Sequence, residues 1–344
     1  MSKIQKFIFT LFVLLTSCSL IIGCTKVDKE VITNENKDKH VAFAKDIDKL
    51  SAWVTYWNLD VDDELSILNS KISSISYFEA YFDSENKLYI PDELIEYYNK
   101  TKDRNYEKYI SIVNDKINSK GDITHKDTDL LRDLFKDSDS VSNHINDLIN
   151  LQKQYGFDGI EIDYENIKKD MQLWDDYIKF VNELYARCKE NNIKLRVIIE
   201  PSIHIENLKF EEGPTYVIMC YNLHDSSTKP GEKANKDFVK KTIDKMNVIP
   251  GNKEFALSTG GFDWCEDNKV SAVDENTARE LASKYNSTQE RDSDSMYINF
   301  KYCDGNKKQH EVWYADTEAM NELINLINEN GYKVSLWKLG GNLF

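Results

Sequence analysis

Residues 157–167, FDGIEIDYENI, decide how this chain folds. Read with a period of two, the stretch is a strand with two unlike edges: Ile160, Ile162 and Tyr164 point one way, Glu161, Asp163 and Glu165 the other. Like charges stacked on one face repel, and burying carboxylates is costly unless they are paired or used. The acidic edge therefore faces either solvent or a site. A carboxylate cluster for Mg²⁺ or Ca²⁺ is a further reading of the same residues.

Working outward, short apolar strands alternate with amphipathic helices. Strands are expected at 50–58, 72–82, 109–115, 159–163, 194–201, 215–222, 254–261 and 333–341. Several are continuous apolar runs, as buried parallel strands are. Eight strands with helices between most of them predict an α/β chain folded as a (β/α)8 TIM barrel. The seventh and eighth strands are far apart; a helix, a hairpin (295–315, turning at Asp304-Gly305) and a last helix fill the gap, predicting a small insertion on the rim. Sites in such barrels lie at the C-terminal ends of the strands. That rule puts Glu165 at the mouth, with Asp163 and Glu161 stepping down inside.

The 344 residues carry a net charge of −15, which argues against nucleic acid as a partner. No linker or internal repeat divides the body. Lys3 and Lys6 precede an apolar run over 7–22, the pattern of a secretory signal, too short to suit an uncleaved membrane helix. LIIGC, ending at Cys24, resembles the bacterial lipobox. That likeness implies a lipoprotein signal peptide at 1–24, acylation of Cys24, a charged tether at 25–48, a barrel domain at 49–344, and attachment to the outer face of a bacterial membrane. A monomer is expected. Cys188 falls on the apolar stripe of a helix beginning near Met171, and Cys220 inside a strand, so both read as buried inert thiols. Cys265 and Cys303 share the C-terminal excursion, where an exported location would allow pairing. No cysteine spacing resembles a zinc site.

DGIEIDYE resembles the strand-four signature of glycoside hydrolase family 18, the chitinases and chitinase-like proteins, written D-G-x-D-x-D-x-E. Asp158, Gly159, Asp163 and Glu165 match it, and Glu161 stands where the family commonly has aspartate. MCYNLH (219–224) is similar to the strand-six M-x-Y-D motif, with Asn222 in place of aspartate. STGGFDW (258–264) resembles the strand-seven region, and VSLWKLGG (334–341) the last strand with its tryptophan. HEVWYADTEAM (310–320) is similar to the branch that holds spore-cortex and peptidoglycan hydrolases.

The resemblance implies a glycosidase that cleaves β-1,4 linkages at N-acetylglucosamine, in chitin-like or peptidoglycan and cortex glycan, without metal or cofactor. Asp163 and Glu165 lie about 6.6 Å apart along one strand and approach a sugar from the same side, with no carboxylate opposite to act as nucleophile. A 2-acetamido sugar supplies its own, and the family is retaining and substrate-assisted. By this likeness Glu165 is general acid and then base, its pKa raised by Asp163 and burial. Asp163 takes the acetamido N–H, Tyr221 donates to the acetamido carbonyl, and Trp337 is the floor. Asn222, Trp264, Glu161 and Asp158 are candidate substrate contacts. Core packing is the ordinary role of a lone tryptophan or tyrosine. Trp53, Trp57, Tyr77 and Phe78 could line subsites, although the strand period turns half of them toward helices. His204 and His224 read as rim residues. An endo-acting N-acetylglucosaminidase on N-linked glycans, and a carbohydrate-binding protein with little chemistry, are the alternatives.

Overall fold

A computed structural model describes residues 30–32, 49–68 and 70–343. Cys24 and most of the 25–48 segment lie outside these. Eight strands form the body: β1 (Leu50–Thr55), β2 (Ile72–Phe82), β3 (Glu107–Ile117), β4 (Gly159–Asp163), β5 (Lys194–Ile199), β6 (Thr215–Met219), β7 (Lys253–Ser258) and β8 (Lys333–Trp337). Each pairs in parallel with its neighbours, and β8 returns to β1, so the sheet closes into the expected barrel. The helices are α1 (Asp62–Leu68), α2 (Asp92–Thr101), α3 (Thr128–Leu134), α4 (Ser138–Tyr155), α5 (Met171–Glu190), α6 (Lys236–Met246), α7 (Glu275–Lys284) and α8 (Thr317–Glu329). Only a single 3-10 turn, Ile205–Asn207, interrupts the β5–β6 connection.

Local chemistry delivers β4 to its place. The Asp137 side chain caps the start of α4, accepting from the Ser140 N–H at 2.8 Å. Gly156 ends that helix at φ 79°, in the left-handed region, three residues before the strand. All of β4 is buried, and its period of two holds. Ile160, Ile162 and Tyr164 join the outer core beneath the helices, where the Tyr164 hydroxyl meets His144 Nε2 at 2.8 Å. Glu161 and Asp163 turn inward. Cys188 and Cys220 are buried as expected, each thiol pushed up to about 12 by burial.

The barrel interior has two storeys. The lower one is polar. Arg196, on β5, donates from Nε to Glu161 Oε2 (2.8 Å) and from one guanidinium nitrogen to Glu254 Oε2 (2.9 Å) and Ser51 Oγ (3.0 Å). Glu161 also accepts from Trp53 Nε1 (2.5 Å), Ser111 Oγ (2.5 Å) and Ser76 Oγ (2.8 Å). Ser51 and Ser335 close the ring on Glu254. The upper storey is an apolar plug of Trp53, Phe78, Val113, Ile198, Val217, Met219 and Ala256, on which Tyr221 and Trp337 rest.

The strand expected at 254–261 stops at Ser258, and the chain leaves the barrel at Gly260-Gly261. Gly260 has φ 59°, and a Cβ on Gly261 would fall 1.9 Å from the Trp313 carbonyl, so the turn needs both glycines. The excursion is larger than a hairpin. It is a six-stranded antiparallel sheet in the order Glu30–Ile32, Gln289–Arg291, Ile298–Cys303, Gln309–Tyr314, Gly261–Cys265, Val270–Val273. Cys265 and Cys303 are both free and flank the strand Gln309–Tyr314 from opposite sides, two strand spacings or about 10 Å apart, so they do not pair.

Replacing Arg196 by Met leaves the Glu161 and Glu254 carboxylates buried without their cation. The expected loss, read from urea unfolding, is about 3–5 kcal/mol; an unfolding midpoint equal to wild type would show that the network holds nothing together.

Candidate active site

The mouth assembles from strand ends that are far apart in sequence. Asp163 is the last residue of β4, 7% exposed, and its Oδ1 is buried without a hydrogen-bond partner. Glu165 lies two residues on, with its side chain partly exposed. Asn114, on β3 and fully buried, clasps the Glu165 peptide from both sides: its Oδ1 accepts from the Glu165 N–H (2.9 Å) and its Nδ2 donates to the Glu165 carbonyl (3.1 Å). The same Nδ2 reaches the Asp127 carbonyl at 3.2 Å, fastening the loop after β3 to the end of β4.

That loop supplies a cation. Lys126 Nζ lies 2.5 Å from Glu165 Oε2. Its own backbone sits at φ 52° with the N–H donated to Asp115 Oδ1 at 2.8 Å. Glu200, the first residue past β5, flanks Glu165 on another side and accepts the Asn166 N–H at 2.8 Å. Burial raises the Glu165 carboxyl to about 7. Lys126 opposes the rise through its charge and hydrogen bond, and Glu200 adds to it. Asp163 is raised well above the usual carboxylate range, by burial first and then by the charges of Glu165 and Glu161. The lift on Glu165 expected from burial and Asp163 thus comes first from burial, with Glu200 adding to it, while the repulsion between Glu165 and Asp163 raises Asp163. Glu79, at the end of β2, is also pushed up, to about 8, by burial and Asp115.

Tyr221 follows β6, and burial with the charges of Asp163 and Glu165 keeps its hydroxyl protonated far into alkali, so it is a donor facing two carboxylates. Trp337 ends β8, with ring contacts to Trp53 (5.7 Å) and Phe78 (4.8 Å). Phe78 in turn meets Trp57 (5.8 Å), whose ring is half exposed at the rim. Trp53 and Phe78 face inward, whereas Tyr77 packs outside against Tyr97 and Tyr98. Asn222 is exposed beside Tyr221, and its amide makes a 3.9 Å contact to Met219 Sδ.

Three expected substrate contacts stand elsewhere. Glu161 is fully buried below Asp163, and both of its oxygens are occupied by Trp53, Ser76, Ser111 and Arg196. Asp158 precedes β4 at the opposite end of the barrel, where its Oδ2 accepts the Lys108 N–H at 2.8 Å. Trp264 sits on the excursion strand Gly261–Cys265, stacked edge-on to Phe262 at 5.4 Å and bordering a separate cavity of about 610 Å³ with His310 and Glu311. His204 Nδ1 pairs with Glu206 and His224 Nδ1 with the Lys229 carbonyl; His204 is exposed and His224 half-buried. Glu200 could have been read from sequence as a carboxylate directly after an apolar strand. Lys126 and Asn114 carry no such signal.

No family model matches the chain. The cortical fragment-lytic enzyme of Bacillus anthracis is 25% identical over 230 residues, 62% of this chain and 53% of that enzyme. The Bacillus cereus spore cortex-lytic enzyme SleL superposes with a TM-score of 0.72 at 22% identity, covering 85% of this chain and 71% of that one. A chitinase from Chromobacterium violaceum gives 0.71 at 16% identity, covering 86% and 95%. The fold is that of the chitinase-like barrels. This chain spans about half the length of the curated relatives it matches.

With the Glu165 carboxyl at about 7, its proton is lost as pH rises through that value, which a carboxyl-carbon NMR titration should show. Lys126→Met removes the charge that stabilises the carboxylate. The Glu165 titration midpoint should move up by about one pH unit; a midpoint that stays or moves down would mean the ion pair does not govern Glu165.

Proposed function

We propose that this protein is a retaining glycosidase acting at N-acetylglucosamine in peptidoglycan, cortex or chitin-like glycan, with the sugar's own acetamido group as nucleophile. The main support is the Asp163 carboxyl oxygen Oδ1, buried without a partner at the strand end that leads to the raised-pKa Glu165, with Tyr221 in electrostatic reach of both acids. A buried acceptor without a donor is costly, and a bound acetamido N–H would satisfy it. The similarity to cortical fragment-lytic enzymes and chitinases supports the glycan class.

In this mechanism the Glu165 proton passes to the glycosidic oxygen as the C1–O bond breaks. The acetamido carbonyl oxygen bonds to C1 from the opposite face, giving a cyclic oxazolinium. Asp163 stabilises the charge on its nitrogen, and Tyr221 orients the carbonyl for attack. Glu165, now a carboxylate, takes a proton from water, whose oxygen attacks C1 and reopens the ring. Two displacements leave the anomeric configuration unchanged. Trp337, supported by Phe78 and Trp53, forms an apolar floor for the sugar face. Trp57 extends that wall toward the rim.

Glu165→Gln keeps the shape and removes the transferable proton. It should lower kcat on N-acetylglucosamine oligomers about 10²–10⁴-fold while leaving oligomer binding within threefold of wild type. If wild type binds these oligomers but does not turn over any of chitin oligomer, peptidoglycan or N-glycan, a binding role takes the place of the enzyme.

A further inference from the structure

Lys233 lies between β6 and α6, 8% exposed. Its Nζ donates to Ser258 Oγ (2.9 Å) and to the Thr259 carbonyl (3.0 Å), and stands 4.6 Å from the centre of the Phe262 ring. None of its contacts among the described residues is a carboxylate. Burial and the nearby Lys338 pull its amine down to about 7. An ammonium without a counter-ion in this setting costs stability, and an unbranched methionine, one atom shorter, would fill most of the space without that cost. Stability alone does not account for a lysine here.

Both ends of this residue reach the sugar pocket. Its carbonyl accepts the Leu223 N–H at 3.1 Å, closing the loop that starts two residues after Tyr221. Its ammonium holds Thr259, and Thr259 holds the end of β8. The Thr259 N–H donates to the Trp337 carbonyl (2.8 Å), its hydroxyl donates to the Lys338 carbonyl (2.6 Å) and accepts the Lys338 N–H (3.2 Å). A continuous run of hydrogen bonds therefore joins the Tyr221 loop to the Trp337 peptide through one side chain.

We propose that Lys233 is a positioning residue that locks the hydrogen-bonding wall of the site, Tyr221, to its aromatic floor, Trp337, so that the two hold a sugar as one rigid frame. The inference rests on the glycosidase reading above. It concerns how the pocket keeps its geometry, since Lys233 itself does not touch the reacting atoms.

The test is a double-mutant cycle of Lys233→Met and Tyr221→Phe on an N-acetylglucosamine pentamer. It measures kcat, KM, melting temperature, and binding through tryptophan fluorescence. Lys233→Met should melt no lower than wild type, yet lose about tenfold in kcat. In the Tyr221→Phe background the same change should matter less than threefold, because the residue being positioned has already lost its hydroxyl. Wild-type kcat in Lys233→Met, or the same tenfold loss in both backgrounds, overturns the proposal. Lys233→Gln, which keeps one donor, goes through the same cycle with the same criterion if the Met variant does not fold. Wild-type turnover with additive variants counts against Lys233 alone. Pentamer binding without wild-type turnover counts against the glycosidase, and the coupling is then read in the dissociation constants. Neither binding nor turnover removes both.

Discussion

The ion pair between Arg196 and Glu161 is the constraint on which the rest of the structure depends. Donors from β1, β2, β3 and β5 all converge on the Glu161 carboxylate, so β4 is pinned from several sides at one point inside the barrel. Asp163 is two residues further along the same strand and inherits that position. A glutamate in place of the aspartate common in the resembling family provides the extra methylene for this reach. A buried pair of this kind need not add net stability against an apolar substitute. Its value lies in direction and register, because the strand cannot slide without breaking four hydrogen bonds together.

Above that layer the chemistry is a balance of opposed charges. Asp163, Glu165, Glu200 and Glu79 crowd one mouth, where burial favours the neutral acid, and Lys126 draws Glu165 back toward the carboxylate. The result is a carboxyl that exchanges its proton near neutrality, which the proposed acid–base role requires. Asn114 fixes the Glu165 backbone, so the balance is struck at a defined place. The aromatic side of the site is held in a different way: Thr259 bonds the Trp337 and Lys338 peptides, and the buried Lys233 bonds Thr259.

Much of this was legible in the sequence, and the failures have physical reasons. Ile160, Ile162 and Tyr164 against Glu161, Asp163 and Glu165 is a local pattern, and period two alone assigned each side chain its face. Eight apolar runs gave the barrel for the same reason. Membership of a motif is not position, however. Asp158 belongs to the same short acidic run as Glu165 but lies at the far end of the strand, and Glu161 is spent on Arg196. Trp264 is a candidate only through the likeness of STGGFDW to the strand-seven region, and Gly260-Gly261 turns that segment out into the excursion sheet. Lys126, Asn114 and Lys233 come from loops and strands whose meeting depends on barrel closure, and no spacing along the chain encodes it.

In the proposed reaction the sugar's acetamido group, and not a directly attacking water, makes the first bond to C1. Proton NMR of a freshly started reaction on a β-linked N-acetylglucosamine oligomer reads the anomeric configuration of the new reducing end before it mutarotates. Two displacements predict that the β-anomer appears first. Initial release of the α-anomer would mean a single inverting displacement by water and would rule out attack by the acetamido group.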